Sequence, residues 1–368
     1  MRKGVIKLEI KGTFTSAKFI VDDVEYASIQ QIQHLCNLDT MQDVKIRIMA
    51  DVCPGIGTTI GSTFTYTDSI MPILIGSDIG CGIVSVKLSA KRVELKQLDK
   101  IVRENLIERN KVDSIITKYQ NTVDLRRLHC AKFVDIDRCY SKIGELGSGN
   151  HFLELDKDSN NGIWLTVHSG SRLLGQQIYD YYIDKGDQHN TRIFSVLRGD
   201  LLNQYIHDVK IAQEFAKANR LSIVEIICKA LKTKIIEEYH SVHNYIDSQD
   251  KIIRKGAISA QLDEKVVIPI SASPVYGGVI LGRGKGSEEW NFSAPHGAGR
   301  ICSRAESKEL FTVSEFKKNM NGVYSNNINS AGLSEAPMVY KRREYIEESL
   351  KDLVEIEDVL VPIYNYKN

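Results

Sequence analysis

The sequence predicts an α+β fold in one large domain, and three observations carry that expectation. Short apolar runs of strand-like composition occur at both ends of the chain. Stretches with leucine and isoleucine at helical spacing lie between them. No Pro- or Ser-rich linker, charge block or repeat divides the 368 residues. The unusual polar motifs also fall in turns that follow strands, an arrangement by which loops converge on one cleft. Length alone fits one big domain or two ordinary ones; the missing linker favours one, spanning residues 1–368.

Taken in order, GVIKLEI and SAKFIV are expected strands flanking a Gly-Thr turn, and VKIRIMADV follows with Val44, Ile46 and Ile48 in alternation. Cys53 to Gly61 is rich in turn formers. MPILIGSDI and GIVSVKLSA are near-continuous apolar runs, which predicts two central strands covered on both faces and joined through S-D-I-G-C-G. Between 92 and 128, Leu95, Leu98, Ile101 and Leu106 predict helices. HFLEL and GIWLTVHSG form an expected strand pair around the polar turn DKDSNNG, and LLGQQIYDYYIDKG a helix stopped by Gly186. Residues 199–232 predict one or two long helices with a break near Asn219. IIRKGAISA, KVVIPIS and GGVILGRG read as short strands, followed by a glycine-rich segment, two helices and a closing strand, VLVPIYNYK.

A content of 42% hydrophobic and 26% charged residues is that of a soluble globular protein, and no apolar run approaches the roughly 20 residues that span a bilayer. MRKGVIKLEI returns to charge too soon for a signal peptide. With 48 basic and 47 acidic side chains, any nucleic-acid partner must be held by a local basic surface. The seven cysteines are odd in number and form no CxxC pair, so free thiols and a cytoplasmic location are expected.

Ser77 to Gly82 places Asp78 and Cys81 three residues apart, with a glycine on either side of the thiol. Four histidines lie in glycine- or small-residue-rich turns at strand ends: His151, His168, His243 and His296. One such histidine is ordinarily a hydrogen-bonded core or loop residue. Together with Asp78 and Cys81 the four supply imidazole, carboxylate and thiolate, the usual transition-metal ligands, and a thiolate is able to bridge two ions. Two ions about 3.5–4 Å apart hold phosphoryl oxygens and neutralise their charge. The candidates are scattered between Asp78 and His243, so spacing alone leaves both a turn with a buried cysteine and a dinuclear site open.

S-A-P-H-G-A-G-R keeps bulk away from His296 and ends in Arg300, with Arg304 on the same face should a helix begin there. That suits an imidazole approached by a phosphate ester, and equally suits a helix N-terminus. In H-S-G-S-R, Ser169, Ser171 and Arg172 either bind phosphate or finish a turn. GRGKGS at 282–287 lacks a strand-to-helix setting, and no GxxxxGK[ST] is present, so a bound nucleotide would not use a P-loop.

Taken in order, ADVCPGIGTTIG, GSDIGCG, LGSGNHFLEL, VHSGSR, SVHNYI, IRKGAISA, SAPHGAGRICSR, EAPMVYK and the terminal NYKN resemble the RtcB family of RNA ligases, which join RNA ends using GTP and manganese. The resemblance implies mixed and antiparallel sheets surrounded by helices, with a central metal-lined cleft. It implies that Asp78, Cys81 and His151 hold one Mn²⁺ and that Cys81, His168 and His243 hold a second. His296 would be the nucleophile that takes GMP, and Asp51 the carboxylate that orients it. Asn150, His151, Phe152 and Glu154 match guanylate-binding positions, as do His243 and Asn244. So do Pro269, Ile270, Ser271 and Ala272, then His296, Gly297, Ala298 and Gly299, and finally Lys367; Tyr340 would stack on the base. Arg172 and Arg300, with Ser169 and Ser171, would meet RNA phosphates. A thiolate by itself favours zinc, so manganese rests on the resemblance.

The implied substrates are RNA with a 3′-phosphate or 2′,3′-cyclic phosphate and RNA with a 5′-hydroxyl, in RNA repair or tRNA splicing. A monomer is expected, with room for an archease-type activator. The alternatives are a metal-dependent cyclic-phosphate hydrolase or nucleotidyl transferase, and an RNA-binding paralogue without ligation. The chain departs from the family pattern at Cys53, usually histidine, and at Ala50, usually proline. It also departs after Ala272, where SPVYGG makes Gly278 the match to a serine. The short chain and its motifs around His296 resemble a bacterial side branch of paralogues.

Overall fold

An apolar run with no charge before Lys87 makes Gly82–Leu88 (β6) a strand buried on both faces. It sits in the largest sheet of a computed structural model that describes residues 8–110, 112–188 and 191–367. That sheet has the order Ile235–Val242 (β11), β6, Ile163–Ser169 (β8), Phe152–Lys157 (β7), Val354–Tyr366 (β18), Gly278–Gly284 (β16) and Lys265–Ser271 (β15). Every neighbouring pair in it is antiparallel. Its edges meet: Val267 N–H on β15 donates to Ser241 Oγ on β11 at 2.9 Å, and Lys265 pairs with Glu237 at 3.0 Å.

The curl gives the sheet an inner face, where Ile83, Phe152, Trp164, Tyr239 and Val267 pack together. Strand alternation sends Val84, Val86, Leu153, Leu165 and Val167 to the other face, into the largest apolar cluster. Helix residues Val209, Phe215, Ile223 and Ile227 belong to that same cluster.

A second sheet has the order Glu9–Lys11 (β1), Ser16–Phe19 (β2), Ile46–Cys53 (β3), Ile60–Thr65 (β4), Ile252–Lys255 (β13) and Asn244–Asp247 (β12). Only β2 and β3 run parallel among its described pairs. Ser69–Ile70 (β5), Ser195–Arg198 (β10) and Asp187–Gln188 (β9) form a small third sheet, and Ala257–Ser259 (β14) pairs with Ser293–Pro295 (β17). His243 is the single residue between β11 and β12, so the chain passes from the first sheet to the second at a candidate ligand.

The α+β class, with mixed and antiparallel sheets, is what the structure has. HFLEL and GIWLTVHSG pair as β7 and β8, and Gly186 caps the helix Leu173–Lys185. Several expectations are corrected. MPILIGSDI is not a strand: Pro72, without an N–H, opens a 3₁₀ turn over Pro72–Leu74, and Gly76 and Gly80 take φ of +86° and +73°. Ile73, Leu74 and Ile75 are buried from that turn, and an apolar run by itself does not distinguish the two cases.

Residues 199–230 form one unbroken helix of 32 residues, because the Asn219 side chain bonds to neighbouring loops instead of competing with its own backbone. No helix begins at Arg300; the next one starts at Ser307, and three rather than two precede the last strand: Ser307–Leu310, Val313–Asn319 and Arg343–Leu350. The helix Tyr26–Cys36 and strand β4 were not expected, and of β11 and β12 only the strand end at His243 was. The first half of GVIKLEI lies outside the described residues.

Candidate active site

Because neighbouring strands are antiparallel, β11 ends, β6 begins, β8 ends and β7 begins at one end of the sheet. Gly82 stands opposite both Val242 and Ser169, and His168 opposite both Ile83 and Phe152. Residues one step beyond the ladder, Cys81, His151 and His243, are therefore about one strand spacing, roughly 4.8 Å, from their neighbours. Cys81 Sγ lies 3.3 Å from His151 Nε2 and 3.2 Å from His168 Nε2, and Asp78 Oδ2 is 3.2 Å from His151 Nε2. The ring centres of His151, His168, His243 and His296 follow at 5.0, 5.1 and 4.7 Å, a row of four imidazoles.

The Ser77–Gly82 turn needs its glycine for close approach. A Cβ on Gly80 would stand 2.9 Å from Gln213 Cα and 3.0 Å from Ala216 Cβ of the long helix. That helix also clamps the turn, since buried Arg220 donates through Nη1 to Gly80 O at 2.7 Å and to Ser169 O at 2.9 Å. Asn219 beside it donates to Glu145 O, Ser169 Oγ and Gly170 O and accepts from Gly144 N.

His168 Nδ1–H donates to Asn150 O at 3.1 Å, which leaves the Nε2 lone pair directed at Cys81. Burial lowers the His168 and His243 imidazoles well below their usual range, so both are neutral, the form that ligates a cation. Burial, reinforced by Asp78, pushes the Cys81 thiol well up. Partial burial opposes ionisation of Asp78, yet His151, Cys81 and Arg172 together hold it below the usual carboxylate range. Arg172 Nη1 donates to His151 Nδ1 at 2.8 Å. His243 Nδ1 is buried with no partner among the described residues. An orphaned imidazole nitrogen beside clustered buried thiol and imidazole groups fits a transition-metal ion, and Cys81, His151 and His168 have ligand atoms within 4.8 Å of one another.

His296 follows β17 and meets Asp51 of β3. Asp51 Oδ2 accepts from His296 Nδ1 at 2.5 Å and from the backbone N–H groups of His296 and Gly297 at 2.9 and 3.3 Å. Three donors on one fully buried oxygen fix the ring and its tautomer, and Nε2 keeps the lone pair. Gly299, at φ +72°, lets the backbone pass against Asp51 O, where a Cβ would collide.

His296 opens onto a cleft of about 930 Å³, including its mouth. Asn150, Phe152, Glu154, His243, Pro269, Ile270, Ser271 and Ala272 line it, with Gly297, Ala298, Gly299, Arg300, Tyr340 and Lys367. Cys53 is also in the wall. Three expected nucleotide contacts lie elsewhere. His151 is buried in the thiol–imidazole cluster. Asn244 lines a second cavity and braces the turn, donating to Asp78 O and accepting from Gly256 N. Gly278, at φ +100°, is outside the cleft, and a side chain there would strike Leu360 O. Ser169 and Ser171 are fully buried, the former donating to Leu146 O at 2.7 Å, whereas Arg172 and Arg300 are half-buried.

In the same cleft wall Glu154 Oε2 accepts from Asn365 Nδ2 at 2.7 Å, and Thr166 donates to Asp156 on the same strand. Burial raises Glu154 to about 7 and Asp156 well above its usual value. Asn365, Asp156 and Glu335 carried no sequence signal beyond their motifs. Nor did Lys255, whose buried Nζ donates to Ile56 O and Ile73 O.

The curled sheet with four ligand-type side chains at one end, next to a carboxylate-held histidine, defines a class of site that could hold a metal ion beside an oriented imidazole. The family model described as tRNA-splicing ligase RtcB matches residues 31–135 and 113–368, and the chain belongs to the RtcB family. It is 28% identical over 365 residues to the RNA-splicing ligase RtcB of Escherichia coli, covering 84% of this chain and 87% of that one. It is 23% identical over 389 residues to the tRNA-splicing ligase RtcB of Nanoarchaeum equitans, covering 80% and 81%. Among the described residues no helix is long and apolar enough to cross a membrane, and the seven cysteines are free thiols.

Proposed function

We propose that this chain, as one domain over residues 1–368, is an RNA ligase that joins a 3′-phosphate or 2′,3′-cyclic phosphate end to a 5′-hydroxyl end, with GTP as the activating substrate. The observation that carries the reading is His296, fixed through Nδ1 by buried Asp51, adjoining His243 at the end of the imidazole row and opening onto the cleft. Asp78, Cys81 and His151 would hold one Mn²⁺ and Cys81, His168 and His243 another. When bound, the ions supply positive charge that neutralises phosphate oxygens.

Asp51 accepts a hydrogen bond from Nδ1–H, so the Nε2 lone pair of His296 attacks the α-phosphorus of GTP; the N–P bond forms as the bond from that phosphorus to the bridging oxygen breaks, and pyrophosphate leaves. The RNA 3′-phosphate, released from its cyclic form by water, then displaces His296 and takes GMP. The 5′-hydroxyl oxygen of the second RNA attacks the activated phosphate, loses its proton and expels GMP. Glu154 and Lys367 face the cleft where a base would present donors and acceptors, and Tyr340 offers a ring to stack on. Arg172 and Arg300 would take backbone phosphates. A tRNA-splicing or repair role in the cytoplasm, as a monomer with or without an archease-type activator, completes the reading.

The test is incubation with α-labelled GTP and Mn²⁺, followed by assay for an acid-labile protein adduct and for joining of labelled RNA ends. Wild type should form the adduct and join the ends, and His296→Ala should do neither. No adduct from wild type overturns the ligase reading. An adduct without joining assigns a different nucleotidyl transfer.

A further inference from the structure

Glu335 closes the short turn Gly332–Glu335 with its side chain only 9% exposed. Oε2 accepts from Tyr340 OH at 2.5 Å and lies 3.4 Å from Lys367 Nζ. Oε1 lies 3.1 Å from Arg304 Nε and 3.5 Å from Arg300 Nη1. All five residues line the cleft that holds His296. The Arg300 guanidinium is fixed further by Cys302 O at 3.0 Å and Ser334 O at 2.8 Å. Its Nη2 has no partner among the described residues. Arg300 and Lys367 also flank the Tyr340 ring, 5.5 and 5.7 Å from its centre.

We propose that Glu335 is the positioning residue of the nucleotide cleft, holding Arg300, Lys367 and Tyr340 as one network in the wall that His296 also lines. The inference rests on the GTP reading above. One carboxylate among three cations leaves the wall net positive and still attractive to a phosphate ester. It also holds apart cations that would otherwise repel one another, each in a fixed orientation. Burial opposes its ionisation, but Lys367, Tyr340, Arg304 and Arg300 together keep Glu335 below the usual carboxylate range. Glu335 is therefore ionised at neutral pH, while burial lowers the Lys367 ammonium from its usual range against the pull of that carboxylate.

Two rival roles make different predictions. A carboxylate that merely repels anions from an empty cleft would, once neutralised, tighten nucleotide binding. A structural ion cluster would affect folding without changing nucleotide selectivity. Glu335→Gln keeps the shape and an acceptor for Tyr340 while removing the charge. Adduct formation should then need about tenfold more GTP for half-maximal rate, with the saturated rate within about twofold of wild type and the preference for GTP over ATP reduced. An unchanged or lower GTP requirement overturns the proposal. So does a fall in the saturated rate at constant requirement. Should Glu335→Gln not fold, Tyr340→Phe keeps the ring, removes one bond of the network and should raise the GTP requirement about threefold; no rise overturns the proposal. If wild type itself forms no adduct, the GTP reading fails first, and that outcome is distinct from an adduct insensitive to Glu335.

Discussion

The two ends of the candidate site, the thiol–imidazole cluster and the cleft wall, are built on opposite plans. At one end, Cys81, His151, His168 and His243 lie together, and His243 Nδ1 has no partner among the described residues. At the other end Glu154, Asn365, Glu335, Tyr340 and Lys367 are already paired, carboxylate to amide, phenol or ammonium. One end has unmet coordinating capacity, which a cation would meet on the reading proposed above. The other offers groups that are already paired, so on the same reading a nucleotide would have to exchange those partners, and pairing geometry would decide what is accepted.

The largest effect should come from breaking the first plan. Cys81→Ser should lose both Mn²⁺ ions together, and adduct formation with them, while His243→Ala should lose one, as counted by native mass spectrometry. Equal and independent losses would contradict the bridge. Asp51→Asn leaves the ligands untouched and disturbs only the histidine that joins the two ends. Single-turnover adduct formation should slow by about 10²- to 10⁴-fold with full metal content, and a rate close to wild type would remove Asp51 from the mechanism.

The smallest effect concerns the base end. Burial raises Glu154 to about 7 from a reference of 4.5, so between these values the folded state binds more protons than the unfolded one. This group's contribution to stability therefore falls as pH rises through that window. Glu154→Gln should flatten the decline in a urea-denaturation series, and parallel profiles for the two proteins would show that Glu154 does not titrate there.

How legible this was in the sequence differs between the same two ends. Cys81, His151, His168 and His243 all lie at strand ends, and three of those strand ends could be read from alternation and glycine turns. Their closeness was not readable, because it depends on the register that sets Gly82 against both Ser169 and Val242 across long separations. The strand expected over MPILIGSDI failed because apolar content reports burial, which a proline-led turn achieves equally well. Asn219 looked like a helix break because its propensity is local, whereas its four hydrogen-bond partners, Gly144, Glu145, Ser169 and Gly170, are distant in the chain. At the base end Glu335 stood in a quoted motif, but nothing local indicated that Arg300, Arg304 and Lys367 converge on it.

The unbroken helix has a consequence for the choice of ion. Through Asn219 and Arg220 it holds the Gly80 turn and the end of β8 on one rod, so the spacing of the ligand-type groups is set by packing of the polypeptide itself. A cation would leave and a different one of similar radius enter without the polypeptide refolding. Which ion occupies the protein would then be decided by the composition of its surroundings at loading, with the fold serving as a reusable socket.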